Sequence, residues 1–168
     1  MTGPLHSDWP AVEIDPLRRL KVIASASKYP SYGERLFDAP LDALWAVASD
    51  LERELPHIVP GLRSFAVTGS EGSGKDRLTG RAVSVLGHGE HFDIVLRPGW
   101  CLMQSKVLVG GMAAVAEGER TRFAFYSSLR FPGGRFVDRV RQPRAEQRTG
   151  MLFDRLQRRL DARSPDAR

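Results

Sequence analysis

The stretch HFDIVLRPGWCLMQS, residues 91–105, decides the fold. Pro98-Gly99 at its centre is a two-residue turn signal flanked by strand-like residues. Folding back about that turn sets Arg97 opposite Trp100, Leu96 opposite Cys101, Ile94 opposite Met103 and Phe92 opposite Ser105. Side chains alternate across a strand, so one face of this hairpin is apolar. The other pairs Asp93 with Gln104 and His91 with Lys106 and is polar.

The same face continues outward through neighbouring turns. A Gly118-Glu119 turn sets Ala116 opposite Thr121, Ala114 opposite Phe123 and Met112 opposite Phe125. A Gly110-Gly111 turn would set Val109 opposite Met112 and Val107 opposite Ala114. A three-residue Gly87-His88-Gly89 turn would set Ser84 opposite Phe92 and Ala82 opposite Ile94. All four pairings keep one apolar face, whereas a one-residue slip would turn a whole strand over. The segment from Leu62 to Phe131 therefore reads as an antiparallel meander.

Its inner face mixes small residues (Gly80, Ala82, Ser84, Ser105, Ala114, Ala116, Ser127) with Phe92, Ile94, Met103, Phe123, Phe125 and Leu129. A sheet packed flush on a helix favours bulkier side chains, so this mixture points to a cavity with an apolar wall and a few hydroxyls. A close-packed core is the plainer alternative.

Helical patterns flank the meander. Asp15-Pro16 reads as cap and first helical position of a short helix through Leu17, Leu20 and Ile23. Tyr32 to Asp38 alternates as a strand. Leu44, Trp45, Val47, Ala48 and Leu51 have helical spacing, with Pro56 and Pro60-Gly61 as stops. After Pro132-Gly133-Gly134, residues Val137, Val140, Leu152, Leu156 and Leu160 fall near one helical stripe, with a kink or late start expected at Pro143.

With 168 residues, 42% hydrophobic and 27% charged, the chain fits one globular domain. The expected division is a lead-in at 1–31, one domain at 32–163 and a tail at 164–168. The lone Cys101 excludes an intramolecular disulfide and a cysteine-based zinc cluster. No apolar run approaches the ~20 residues that span a bilayer, and residues 1–10 lack a signal pattern, so a cytoplasmic protein is expected. The net charge of +5 is carried by residues 135–163, which hold nine arginines and four acids. Such a helix reads as a solvated face, or as a contact for an acidic partner or membrane surface. No aromatic-rich binding motif is interleaved with it, as nucleic-acid binding would ask.

Chemical motifs are few. Gly69 to Asp76 nearly spells a phosphate loop, but Asp76 replaces the needed hydroxyl and the next residues alternate as a strand, so a hairpin loop is expected. His57, His88 and His91 lack metal-ligand spacing, and no metal or cofactor is expected. Ser84, Ser105 and Ser127 read as inward-facing with no histidine or carboxylate beside them, which gives no nucleophilic arrangement. Cys101 reads as a small buried hydrophobe. Arg144 and Arg148 are the charged candidates of the last helix for facing a cavity, with solvent as the plainer fate. His57, following Pro56, is the weak candidate for acid–base work, or else a surface histidine.

The order strand, two helices, meander, long C-terminal helix resembles the helix-grip fold of the START-like SRPBCC superfamily, which includes polyketide cyclase/dehydrase-like, lipid-transfer and coenzyme Q-binding proteins. The matching stretches are Glu34 to Asp38 with Ala39-Pro40, Trp45-Ala46-Val47 with Ser49-Asp50-Leu51, Pro60-Gly61, Gly72-Ser73-Gly74, and Glu119-Arg120-Thr121-Arg122. They span about Tyr32 to Ala162 and are patterns of fold, not of catalysis. The resemblance implies an α+β fold: a six- to seven-stranded antiparallel sheet wrapped around a long C-terminal helix, with two short helices after the first strand. It also implies a hydrophobic cavity between sheet and helix, though no single reaction.

The function this implies is binding of a small lipophilic or aromatic molecule. Its expected ligand-binding residues are Ser84, Phe92, Ile94, Met103, Ser105, Met112, Phe123, Phe125 and Ser127. A cyclase/dehydratase-like enzyme using the same cavity, and a basic-helix module for an acidic partner or membrane surface, remain as alternatives.

Overall fold

The structure is a computed structural model and describes residues 14–70, 72, 74–130 and 144–164. In chain order the elements are α1 (Pro16–Ser25), β1 (Ser31–Phe37), α2 (Leu41–Ala48), α3 (Leu55–Ile58), β2 (Leu62–Ser70), β3 (Arg77–Ser84), β4 (Gly89–Arg97), β5 (Trp100–Gln104), β6 (Leu108–Glu117), β7 (Arg120–Leu129) and α4 (Ala145–Arg163). The seven strands form one antiparallel sheet in the order β1-β7-β6-β5-β4-β3-β2. Helices α2, α3 and α4 cover one face. No helix among the described residues is long and apolar enough to cross a membrane.

The β4–β5 and β6–β7 hairpins have the expected registers. Ile94 pairs with Met103 and Leu96 with Cys101 about Pro98-Gly99, and Met112 pairs with Phe125 about Gly118-Glu119. Gly99 and Gly118 have φ of 72° and 65°, which a side chain would strain.

Two other turns lie elsewhere. Gly110-Gly111 is not a turn; both residues run inside β6, where Met103 pairs with Gly110 and Cys101 with Met112. The chain reverses instead at residues 105–107, because the Ser105 hydroxyl accepts hydrogen bonds from the Val107 and Leu108 amides at 3.2 and 3.0 Å. The β3–β4 turn falls four positions off in register, so that Phe92 faces Gly80 and not Ser84, and Ala82 faces Glu90 and not Ile94. Gly87, at φ 85°, closes that turn. Because the slip is an even number of residues, every side chain keeps its expected face.

Pro56 lies in the first turn of α3 and starts that helix where the sequence pattern took it for a stop. Helix α4 begins at Ala145, just past Pro143, which is the late start; Val137 and Val140 fall outside the described residues. The glycine-rich segment after β2 leads into strand β3, as a hairpin loop does and a phosphate loop does not.

The core has two halves. On the inner face, Phe37, Phe92, Ile94, Met103, Met112 and Phe123 pack against Leu44, Val47, Leu55, Leu152, Phe153 and Leu156 of the helices. Phe37, Phe123 and Phe153 meet edge-to-face with centroids 6.0–6.1 Å apart. The outer face is not the uniformly polar surface that Asp93, Gln104, His91 and Lys106 suggest. Trp100, Ala113, Ala124 and Tyr126 form a second apolar layer there, covered by Leu17, Leu20 and Ala24 of α1. Asp15 caps α1 by accepting from the Leu17 amide at 2.8 Å, and Ser27 hydrogen-bonds the Tyr126 hydroxyl.

Candidate functional site

Between the sheet and the first turns of α4 the inner core opens into a cavity of about 420 Å³. The opening follows from side-chain size. Gly110, Ala82 and Ser127 present little bulk from three strands, so Phe65, Phe92, Met103, Phe125 and Leu152 surround space where a core would fill it. Gly80, by contrast, is occupied: a Cβ there would meet the Phe65 ring at 2.7 Å, so this glycine lets Phe65 lie across β3.

All the strand ends and loops bordering the cavity lie at one end of the sheet. They are the start of β1, the approach to β2, the β3–β4 and β5–β6 turns, the end of β7 and the start of α4. Gly33 in β1 admits α4 closely, since a Cβ there would come within 2.5 Å of the Thr149 side chain. Ser31 and Thr149 hydroxyls are 3.2 Å apart at that crossing.

The expected site residues divide by depth. Ser84, Phe92, Met103, Phe125 and Ser127 line the cavity. Ile94, Met112 and Phe123 lie behind the lining in the packed core. Ser105 is buried and its hydroxyl is engaged in the β5–β6 turn, where it also donates to the Leu108 carbonyl at 3.3 Å. The Ser84 hydroxyl accepts from the His88 amide at 3.2 Å. His57 is exposed on α3 and is not part of the lining. Burial pushes the Cys101 thiol up to about 12, so it stays protonated and inert at neutral pH.

The lining also carries charge that the strand pattern had excluded. Glu90 pairs with Ala82 and shares a face with Phe92, so its carboxylate borders the cavity together with His88 and Arg148. The signal was present in the sequence: residues 88, 90 and 92 have one parity, and the β4 strand begins at Gly89. Arg148 enters from the first turn of α4, while Arg144, the residue before that helix, is exposed and outside the lining.

An ion cluster around one buried carboxylate ties the C-terminal half of α4 to the α2–α3 connection. Glu54, only 2% exposed, accepts two hydrogen bonds from Arg159 at 2.6 and 3.1 Å and one from Arg163 at 2.7 Å. The Arg159 hydrogen bonds, with Arg163 beside them, hold the Glu54 carboxyl below its usual range despite the burial that opposes this. Two of the arginines in the basic segment are therefore paired with a buried acid while their own side chains stay partly exposed.

No protein-family model and no curated protein matches the chain significantly. Solved structures do. A protein from Thermus thermophilus superposes with a TM-score of 0.62 at 21% identity, covering 80% of this chain and 99% of its own. A START superfamily protein from Mycobacterium smegmatis gives 0.59 at 14%, covering 82% of this chain and 100% of its own. The di-domain ARO/CYC protein StfQ of the steffimycin biosynthetic pathway gives 0.62 at 8%, covering 87% of this chain and 54% of its own. At these identities the likeness is one of architecture: the chain has the START-like helix-grip fold that these structures share.

Proposed function

We propose that the protein binds a small lipophilic or aromatic molecule in the cavity between the sheet and α4. The observation that carries this reading is the cavity itself. Its volume of about 420 Å³ falls within the ~300–1,000 Å³ typical of small-molecule sites, and its wall is mainly apolar. Transfer of apolar surface at ~25 cal/mol per Å² supplies the affinity. Phe92, Met103 and Phe125 contribute wall, and Ser84 and Ser127 offer hydroxyls for orientation. Native mass spectrometry of protein purified from its source tests this. A co-purified lipophilic adduct is expected; a bare chain that also fails to take up any lipophilic probe would overturn the reading.

A cyclase- or dehydratase-like reaction in the same cavity is the second reading, supported by Glu90, His88 and Arg148 on the lining. Glu90 is the candidate acid–base group there, in place of His57. Turnover of a polyketone that survives His57→Ala and falls ~10²-fold or more in Glu90→Gln would favour it. Of the arginines behind the basic-helix reading, Arg159 and Arg163 pair with Glu54, whereas Arg148 and Arg158 are exposed.

A further inference from the structure

We infer that the rim of the cavity mouth docks on an anionic membrane surface. Two independent distributions coincide at this rim. The first is apolar. Among the described residues seven large hydrophobic side chains are exposed, and four of them, Tyr29, Val85, Leu86 and Val107, lie in the loops around the mouth. Val85 and Leu86 form the tip of the β3–β4 turn, between Ser84 and His88 of the lining, and are 63% and 82% exposed. Tyr29 and Val107 belong to the lining. Scattered exposed hydrophobes are normal; four gathered on one rim mark an interaction surface.

The second distribution is charge. Among the described residues, those around the rim (26–31, 59–63, 84–90, 105–108, 129–130 and 144–149) carry six bases against two acids. The bases are Lys28, Arg63, Lys106, Arg130, Arg144 and Arg148, and all six are exposed. The acids are Glu90 and Glu146. Elsewhere in the described residues bases and acids nearly balance, 15 to 13.

Apolar tips ringed by cations match the interface of an anionic bilayer, where tips enter the headgroup–acyl boundary and cations face the lipid phosphates. An acidic protein surface would account for the cations but leaves the exposed Val85-Leu86 tip without a partner. Docking in this orientation sets the cavity mouth against the bilayer, so a lipophilic molecule passes between them without crossing water. It also moves the membrane contact from the outer face of α4 to the opposite end of that helix, where Arg148 lies.

Co-sedimentation with vesicles tests the inference with no cavity ligand present, so its failure leaves the binding reading intact, and an empty cavity leaves the docking result standing. The wild type is expected to bind vesicles of phosphatidylcholine mixed with phosphatidylglycerol, less so at high salt, and to ignore pure phosphatidylcholine. The double variant Val85→Asp/Leu86→Asp, whose sites are exposed turn positions, should bind ~10-fold or more weakly at unchanged melting temperature. Lys28→Glu/Lys106→Glu should weaken binding likewise, and Arg155→Gln/Arg158→Gln should not. Leu86→Trp should show a blue-shifted emission on the mixed vesicles. Absence of binding to the mixed vesicles would overturn the inference. So would binding that depends on the cations yet is indifferent to the tip, with no blue shift, which describes an acidic-protein surface, or binding lost in the Arg155/Arg158 variant, which would return the contact to α4.

Discussion

Glu54 shows how one side chain joins distant parts of the chain. It lies in the short connection between α2 and α3, and its carboxylate reaches Arg159 and Arg163, more than a hundred residues later. The partners are unequal in burial: Glu54 is 2% exposed, whereas the Arg159 and Arg163 side chains are 37% and 43% exposed. Removing the carboxylate therefore leaves two hydrated guanidiniums, while removing Arg159 leaves a buried carboxylate with one partner. Arg159→Met should cost about 2–3 kcal/mol, short of the full penalty for an orphaned buried charge because Arg163 remains, and Glu54→Gln about 1–2 kcal/mol. Because the folded-state pKa of Glu54 is lowered, its contribution is complete above the unfolded value near ~4.3 and is lost as pH falls through the folded value. Urea melts of wild type and Glu54→Gln should accordingly differ most above about pH 5 and converge progressively as pH falls below the unfolded value of ~4.3. A constant gap across that range would show that the charge is not what Glu54 contributes. None of this is legible in the sequence, where no pattern singles out Glu54 and the arginines read as a solvated face or a partner contact. Burial of a carboxylate depends on tertiary approach, which no local pattern encodes.

At the scale of elements, the hairpins whose registers match the sequence pattern are those whose glycine sits in a two-residue turn directly between the strand ends. Pro98-Gly99 and Gly118-Glu119 each hold a glycine at positive φ, so sequence and geometry agree. Gly87, also at positive φ, closes a turn with Val85 and Leu86 and does not by itself fix the register. Gly110-Gly111 misled because glycine has a second use: it lets another element come close. A Cβ on Gly111 would meet Leu20 of α1 at 2.6 Å, whereas one on Gly110 would find its nearest neighbour at 3.7 Å. Gly111→Val should therefore cost about 1–3 kcal/mol by overpacking the α1 layer, and Gly110→Ala should stay within about 0.5 kcal/mol. Equal losses would contradict the close approach of α1 to β6. The register of β4 and β5 has its own test. Met103 is buried on the inner face and Gln104 exposed on the other, so Met103→Lys should destabilise by several kcal/mol and Gln104→Lys should barely register in thermal melts. The outer apolar layer was missed although Trp100 to Met103 and Phe123 to Tyr126 are apolar at nearly every position. Continuous apolar runs of that kind mean burial on both faces, and the polar pairs Asp93–Gln104 and His91–Lys106 sample only the end of the β4–β5 pair beside the β5–β6 turn.

For the whole molecule, the parity of the sheet made the cavity wall legible before its depth was. Sequence pattern shows which face a side chain takes, but not whether a helix fills the space above it. That depends on where α4 begins and how Glu54 holds it, so Ile94, Met112 and Phe123 share a face with Met103 yet lie in packed core. The cavity leaves the inner wall with fewer packing partners than a filled core would have, and an occupant should recover part of that loss. A ligand that binds only the folded state, at a free concentration of about 100 times its Kd, adds ~2.7 kcal/mol of stability. For a chain of this size that corresponds to a rise in Tm of roughly 5–10 °C. A thermal-shift screen of lipophilic and aromatic molecules should therefore find compounds that raise Tm by this amount. Ala82 borders the cavity on β3, opposite Glu90, and Ala82→Trp would put a large ring into the space. That variant should lose no more than about 3 kcal/mol to overpacking, and should abolish the shift. Compounds whose shift survives in Ala82→Trp bind somewhere else, and if every active compound behaves that way the cavity is a packing defect and not a binding site.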